Sequence, residues 1–256
     1  MLPPSVDYET RYEKESEPWR YSERAAELLR HEYIAAKIRT LQPRSRILDV
    51  GCSIGQLTRK LKTVASVVVG MDVSHTALVK ARTNCQSEHM LGPTRYLFAV
   101  GQASALPFRA AMFDVVISAD VLLEGGFSEE LKGQAIEEYA RVLRPGGRAI
   151  FTDYMRSTGF DGYIALVKQS RLKIVSIEYL SDRLWYQFES LFHLFQNSFW
   201  VKALLRNLFL AQIFQRISRT LGRKYSKHIC IVAEKPVENN PPIIRTSFPE
   251  RDSRCP

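Results

Sequence analysis

The stretch RILDVGCSIGQLTRKL, residues 46–61, limits the fold more than any other part of this chain. An apolar run stops at a loop holding Gly51 and Gly55, and a helical pattern starts straight after it. The same rhythm continues downstream. SRILDV, SVVVGMD, RYLFAV, FDVVISA and RAIFTDY each read as a buried strand, and LKIVSIEYL and HICIVAEK as two more. Between them lie the helical patterns GQLTRKL, HTALVKART with Ser74 as its cap, and SEELKGQAIEEYARVL. In the last of these Ser128 caps, Glu129 and Glu130 favour the dipole, and RPGG is expected to stop the helix. A further helix is expected near Tyr163–Ser170, and one before the first strand from Ser22 to Leu41, with Ala25, Leu28, Leu29, Tyr33, Ile34, Ile38 and Leu41 on one face. Strands alternating with helices predict an α/β fold, a doubly wound, mostly parallel seven-stranded sheet. Such sheets bind ligands beyond the carboxyl ends of their strands, where the strand order switches.

Two features break the alternation. Residues 182–227 form a helical insert before the last strand. They carry eight Lys/Arg against two Asp/Glu and ten aromatic residues. Two helices are expected there: one with Leu184, Trp185, Phe188, Leu191, Phe192 and Phe195 at helical spacing, and a second over Phe199–Leu221, with the break at Gln196-Asn197-Ser198. The tail 237–256 is polar and Pro-rich, the composition of disorder. The expected organisation is therefore a flexible segment at 1–21 that can act as a lid, a binding domain over 22–181 and 228–236, the insert at 182–227, and the tail.

Composition narrows the setting. Four cysteines, Cys52, Cys85, Cys230 and Cys255, include no CxxC pair, which argues for a reducing compartment and against a disulfide frame. Neither they nor the five histidines show metal-ligand spacing, so no metal is expected, and His75, His193 and His228 read as surface or structural. The N-terminal segment lacks an apolar leader core and no 18-residue stretch is free of charge, so a cytoplasmic protein without a spanning helix is expected. The net charge of +9 favours an acidic partner or surface.

The glycine loop is too sparse for a dinucleotide. Ser53 stands where the second glycine of G-x-G-x-x-G belongs, Gln56 follows Gly55, and no Lys-Ser/Thr pair is present for nucleotide phosphates. The second strand ends in Asp72, 21 positions after Gly51. An acid there accepts two hydrogen bonds from a ribose diol. Loop and acid together point to a ligand with a ribose and no pyrophosphate, and S-adenosyl-L-methionine is one such ligand.

The pieces LDVGCSIG, GMDVS, GQASALPF, FDVVISADVLLE and RVLRPGGRAIFTDY, in that order and spacing, resemble the class I S-adenosylmethionine-dependent methyltransferase family, a Rossmann-like fold. The resemblance covers residues 40–180 and again 228–235, and VGCSIG with EPWRY upstream is most similar to nodulation-type N-methyltransferases. It implies that Asp49 orients the loop or the methionine amine, and that Gly51, Cys52, Ser53 and Gly55 pass the methionine part. It also implies that Asp72 and Val73 meet the ribose, that Gln102 and Ala103 lie beside adenine, and that Ser118 to Asp120 face the sulfonium. The family usually has an acid where Gln102 stands; the amide oxygen still accepts a hydrogen bond, but without charge.

The resemblance implies an enzyme that moves a methyl group from S-adenosylmethionine to a small, partly apolar acceptor by O- or N-methylation. Asp120 is the candidate to remove a proton. Trp19, Tyr21, Glu124 and Tyr154 are candidates to touch the acceptor, with Asp153 beside them. Trp19 and Tyr21 read equally as a packing anchor, and Asp120 or Glu124 as a helix cap. Cys52 is a small loop filler rather than a nucleophile, since no histidine is placed to activate it. The insert reads as a lid packed on the core, as the wall of an apolar acceptor pocket, or as a peripheral contact with a membrane or protein. Two other readings stay open: a non-catalytic binding subunit, which Gln102 invites, and a nucleic-acid binder using the basic insert. The fourth strand lacks the Asn/Asp-Pro-Pro-aromatic run of base-amino methyltransferases, so nucleic acid is not the expected acceptor.

Overall fold

The computed structural model describes residues 7–41, 45–89, 94–123, 127–192, 195 and 198–237. Seven strands, β1 (Ser45–Val50), β2 (Ala65–Asp72), β3 (Arg95–Val100), β4 (Phe113–Ala119), β5 (Leu143–Tyr154), β6 (Lys173–Tyr179) and β7 (His228–Glu234), form one sheet in the order β3-β2-β1-β4-β5-β7-β6. All neighbours are parallel except β7, which runs antiparallel to β5 and β6. The order reverses between β1 and β4, so their carboxyl ends open a crevice there.

The central strands are buried on both faces, which is why SRILDV and FDVVISA read as continuous apolar runs rather than alternating ones. One face packs α4 (Glu129–Val142) and α5 (Phe160–Lys168) through Ile136, Tyr139, Phe151 and Tyr163. The other packs α2 (Ala25–Leu41) through Ile34 and Ile38 on Ile47, Val68, Val115 and Val232. The expected caps are present. Ser74 Oγ accepts from Ala77 N at 3.0 Å to start α3 (His75–His89), and Ser128 Oγ accepts from Leu131 N at 3.2 Å.

Four local expectations are corrected. GQLTRKL does not form an α-helix; Thr58–Thr63 wind as a tighter 3-10 helix. Few residues separate the glycine loop from β2, and a short connection favours the tighter winding. RPGG does not follow α4 as a stop. The helix ends at Val142, and β5 already begins at Leu143 and runs through Gly146 and Gly147. A Cβ on Gly147 would lie 2.9 Å from Arg144 O, so this bend requires glycine. The N-terminal segment, expected to be flexible, holds α1 (Tyr8–Lys14), capped by Asp7, which accepts from Thr10 N at 3.0 Å. Tyr12 of α1 is buried against Ile54 and Ala77.

Among its described residues the insert holds three α-helices rather than two: α6 (Arg183–Leu191), α7 (Phe199–Leu205) and α8 (Leu208–Thr220). The second expected helix is cut at Asn207, whose extended backbone and side chain cap α8 by accepting from Leu210 N at 3.0 Å. Trp185, Tyr186 and Ala211 of the insert pack on Ala25 and Ala26 of α2, forming a small core of their own. The expected break at Gln196-Asn197, the candidate Glu124 and the tail from 238 lie outside the described residues.

Candidate active site

The crevice at the β1/β4 switch is walled by Val50, Gly51, Ser53, Met71, Asp72, Val73, Gly101, Ala103, Ala119, Asp120, Val121 and Phe127, and roofed by Tyr8, Tyr12, Trp19 and Tyr21. Its floor follows from the glycine loop. Gly51 has φ +67°, and a Cβ there would lie 2.5 Å from Val121 Cγ2. Ser53 N donates to Asp72 Oδ2 at 2.9 Å and Ser74 N to Asp72 Oδ1 at 3.0 Å, so two backbone groups fix the carboxylate at the end of β2. Each oxygen keeps a lone pair for a further donor. Burial raises the Asp72 pKa, with these hydrogen bonds opposing the rise.

The roof is built by the N-terminal segment. Trp19 Nε1 donates to Tyr12 Oη at 3.1 Å, and Tyr12 Oη donates to Ser53 Oγ at 2.6 Å, so the aromatic cover is tied directly to the loop. Glu9 accepts from Thr76 N at 3.1 Å and thereby fastens α1 to the start of α3. Arg11 stacks on Trp19, 4.0 Å from the ring centroid.

Of the candidates read from the sequence, Gly51, Ser53, Asp72, Val73, Ala103, Asp120, Trp19 and Tyr21 line this crevice. Asp49, Cys52, Gly55, Gln102 and Ser118 do not. Asp49 is buried beneath the loop, accepting from Thr58 Oγ1 at 2.6 Å; burial pushes its pKa up to about 7 despite that bond. Cys52 is buried with its thiol pushed well up by burial, which fits a filler and not a nucleophile. Gly55 meets Cys85 and Ala81, Gln102 is exposed, and Ser118 is buried on the central strand β4, where its Oγ accepts from Tyr139 Oη at 3.4 Å. Tyr154 lies in a neighbouring cleft between the N-terminal segment and the insert, with Trp19, Arg20, Glu23, Arg24, Tyr186, Glu189, Ser190, Lys202 and Leu205. Trp19 is shared by both clefts.

Asp120 stands in a buried charge cluster that the sequence reading missed. Arg30 Nη2 lies 2.6 Å from Asp120 Oδ2 and 2.7 Å from Glu27 Oε2, and Tyr154 N donates to Asp120 Oδ1 at 2.8 Å. Burial alone would raise the Asp120 pKa, but Arg30 and then His228 outweigh it and hold the carboxyl below its usual range. A carboxylate held this way is a weak proton acceptor and a strong fixed anion. Asp153, buried next to it, is pushed up to about 6 by burial and then by Asp120. The signal for Arg30 was present in the spacing: Glu27, Arg30, His31, Ile34 and Ile38 continue one helical stripe, and all are buried. Tyr8, Tyr12, Val121 and Phe127 were also missed. They carry no motif, and only the folded chain brings them to the crevice.

Glu27, Asp120 and His228 present ligand atoms within 4.8 Å of one another. Arg30 already supplies the cation there, in contact with both carboxylates, so the cluster suits a guanidinium rather than a metal ion.

Residues 47–147 match the family described as a methyltransferase domain. Over that stretch the chain is similar to class I, S-adenosylmethionine-dependent methyltransferases. The chain is 33% identical over 115 residues to an O-methyltransferase of Aspergillus nomiae, covering 44% of this chain and 48% of that one. It is 31% identical over 116 residues to the 27-O-demethylrifamycin SV methyltransferase of Amycolatopsis mediterranei, covering 45% and 40%. The matches thus span about half the length of these relatives or less. Among solved structures, the N-methyltransferase NodS of Bradyrhizobium japonicum with S-adenosyl-L-homocysteine has a TM-score of 0.59 at 17% identity, covering 87% of this chain and 94% of that one. The cyclase SpnF also has a TM-score of 0.59, at 24% identity and 81% coverage of each chain. These two likenesses establish the fold of the methyltransferase domain and its neighbours, not a reaction.

Two expected results follow for the domain. Gly51→Ala should weaken binding of S-adenosyl-L-homocysteine, because a non-glycine residue at φ +67° costs about 1–2 kcal/mol and its Cβ collides with Val121. Calorimetry of Gly51→Ala against Gly51→Ala/Val121→Ala checks this, with the second change restoring part of the loss.

The other concerns pH. Burial and Arg30 both lower the His228 pKa, but Asp182 and Asp120 outweigh them and hold it up at about 9. Its folded value is thus above the ordinary 6.5, so its stabilisation is complete below pH 6.5 and is lost as pH rises through about 9. The thermal midpoint should fall over that window, and His228→Gln should flatten the fall.

Proposed function

We propose that this chain transfers a methyl group from S-adenosyl-L-methionine to a small, partly apolar acceptor, by O- or N-methylation. The observation that carries this reading is the character of the crevice. At the topological switch of a methyltransferase fold it holds two carboxylates, Asp72 and Asp120, under four aromatic side chains, and among the described residues no Lys or Arg lines it. Phosphate ligands need cations or a glycine-dense loop; no cation stands among the described lining residues, and the loop from β1 has only Gly51 and Gly55. A cationic nucleoside fits both the acids and the aromatic faces.

When bound, the cofactor supplies a methyl group already activated on a sulfonium. The chain's part is mainly alignment. Asp72 accepts from the ribose hydroxyls beside Val73. Gly51 and Ser53 give the methionine part close backbone approach, and Asp49, with Cys52 and Gly55, holds that loop from below. Ala103, with Gln102 at its rim, borders the adenine, and Ser118 underlies the reacting end. Asp120, fixed by Arg30, places a negative charge toward the sulfonium. The acceptor enters by the neighbouring cleft, where Trp19, Tyr21 and Tyr154 lead from the insert toward the methyl group. The resemblance of part of this chain to an O-methyltransferase and to a methyltransferase of 27-O-demethylrifamycin SV supports a small acceptor.

The test is transfer of a labelled methyl group from S-adenosyl-L-methionine into a fractionated small-molecule extract. A labelled product that depends on Tyr154 and Trp19 supports the reading. Tight cofactor binding with no labelled product from any fraction would replace it with the non-catalytic binding subunit.

A further inference from the structure

The outer face of the insert is apolar, basic and uncovered. Phe199, Trp200 and Phe209 are 74%, 79% and 70% exposed, and Leu191, Phe195 and Ile217 stand exposed beside them in the sequence of helices. On α8, at 100° per residue, Phe209, Ile213, Arg216 and Ile217 share one side, with Arg219 at its edge. Ala211 and Ser218 lie on the opposite side and are buried toward the body of the protein. On α7, Phe199, Ala203 and Arg206 share an exposed side, while Lys202 and Leu205 turn inward to the second cleft. The aromatic residues of this face are therefore not spent on packing the insert; that is done by Trp185, Phe188 and Phe214.

The charge identifies the occupant. From Ser190 to Lys227 the chain has seven cations, Lys202, Arg206, Arg216, Arg219, Arg223, Lys224 and Lys227, and no Asp or Glu. Among the described residues, Arg206, Arg216 and Arg219 have no carboxylate partner, unlike Lys202 and Arg223, which pair with Glu23 and Asp161. A second copy of the chain would bring like charges together, since a two-fold interface sets the same patch against itself. No described helix is long and apolar enough to cross a membrane, so contact would be in the plane of the surface. We propose that the α7–α8 face docks on an anionic lipid surface, with Phe199, Trp200 and Phe209 in the headgroup–acyl boundary and Arg206, Arg216 and Arg219 on lipid phosphates. This does not depend on the methyl-transfer reading.

The experiment is flotation of the full chain with vesicles of phosphatidylcholine, with and without phosphatidylglycerol, at low and high salt. The chain should float only with phosphatidylglycerol and should be released by salt. Arg206→Glu/Arg216→Glu/Arg219→Glu and Phe199→Ser/Trp200→Ser/Phe209→Ser should each reduce binding by about tenfold or more, with the thermal midpoint unchanged because all six positions are exposed. Three outcomes overturn the proposal: wild-type chain that ignores phosphatidylglycerol at low salt, charge reversal without effect on flotation, or a dimer in sedimentation that the serine variant converts to monomer.

Discussion

Arg30→Met should destabilise the folded protein by about 3–5 kcal/mol, the range for breaking a buried ion pair by removing one partner. Arg30 is only 3% exposed and is the shared partner of Glu27 at 2.7 Å and Asp120 at 2.6 Å. It also donates to Thr152 Oγ1 at 3.3 Å, joining α2 to the end of β5. Burial works against the charged form of Glu27, but Arg30 outweighs it and holds that carboxyl at about 2. Without the guanidinium, two buried carboxylates face each other, answered among the described residues only by His228 and by Arg24, whose Nη1 lies 4.0 Å from Glu27 Oε1. Urea unfolding at neutral pH measures the loss. Adding Glu27→Gln and Asp120→Asn to Arg30→Met should recover much of it, because the cost lies in the stranded charges rather than in the lost contacts. A recovery near zero would mean that Arg30 acts through packing.

Asp72→Ala should weaken binding of S-adenosyl-L-homocysteine by about 1.5–3 kcal/mol, as expected for hydrogen bonds to a charged group. The change removes more than a ribose contact. Asp72 also accepts from Ser53 N and Ser74 N, so its loss frees the glycine loop and the first turn of α3. Asp72→Asn separates the two effects: it keeps one acceptor oxygen in place and should lose less. Comparing both variants by calorimetry, with thermal midpoints to confirm folding, distinguishes a ribose partner from a loop brace. If Asp72→Ala binds as the wild type does, the ribose assignment is wrong.

The sheet was readable because its physics is local. SRILDV and FDVVISA are buried on both faces, so their apolar runs are continuous, and Ser74 and Ser128 cap in the way their neighbours require. That Gly51 and Asp72 would meet in one crevice was readable because both end neighbouring strands at the sheet's carboxyl edge. The roof was not. Tyr8 and Tyr12 lie in a polar stretch whose order comes from contacts far along the chain, such as Tyr12 with Ser53 and Glu9 with Thr76. The Arg30 cluster was hidden for a related reason. Glu27, Arg30 and His31 continue the buried stripe of α2, but their partners Asp120, Thr152 and His228 arrive from three other elements that the stripe does not reveal. In the insert, a single apolar pattern over Phe199–Leu221 hid the break, since Asn207 is tolerated inside a helix but favoured as a cap.

A crystal structure of the chain grown with S-adenosyl-L-homocysteine tests the central claim most directly. The ligand is expected in the crevice under Tyr12 and Trp19, with both ribose hydroxyls on the Asp72 carboxylate, its sulfur toward Asp120, and the cleft of Tyr154 and Tyr186 open beyond it. A crevice without ligand, or ligand held elsewhere with Asp72 bonded only to Ser53 and Ser74, would contradict it.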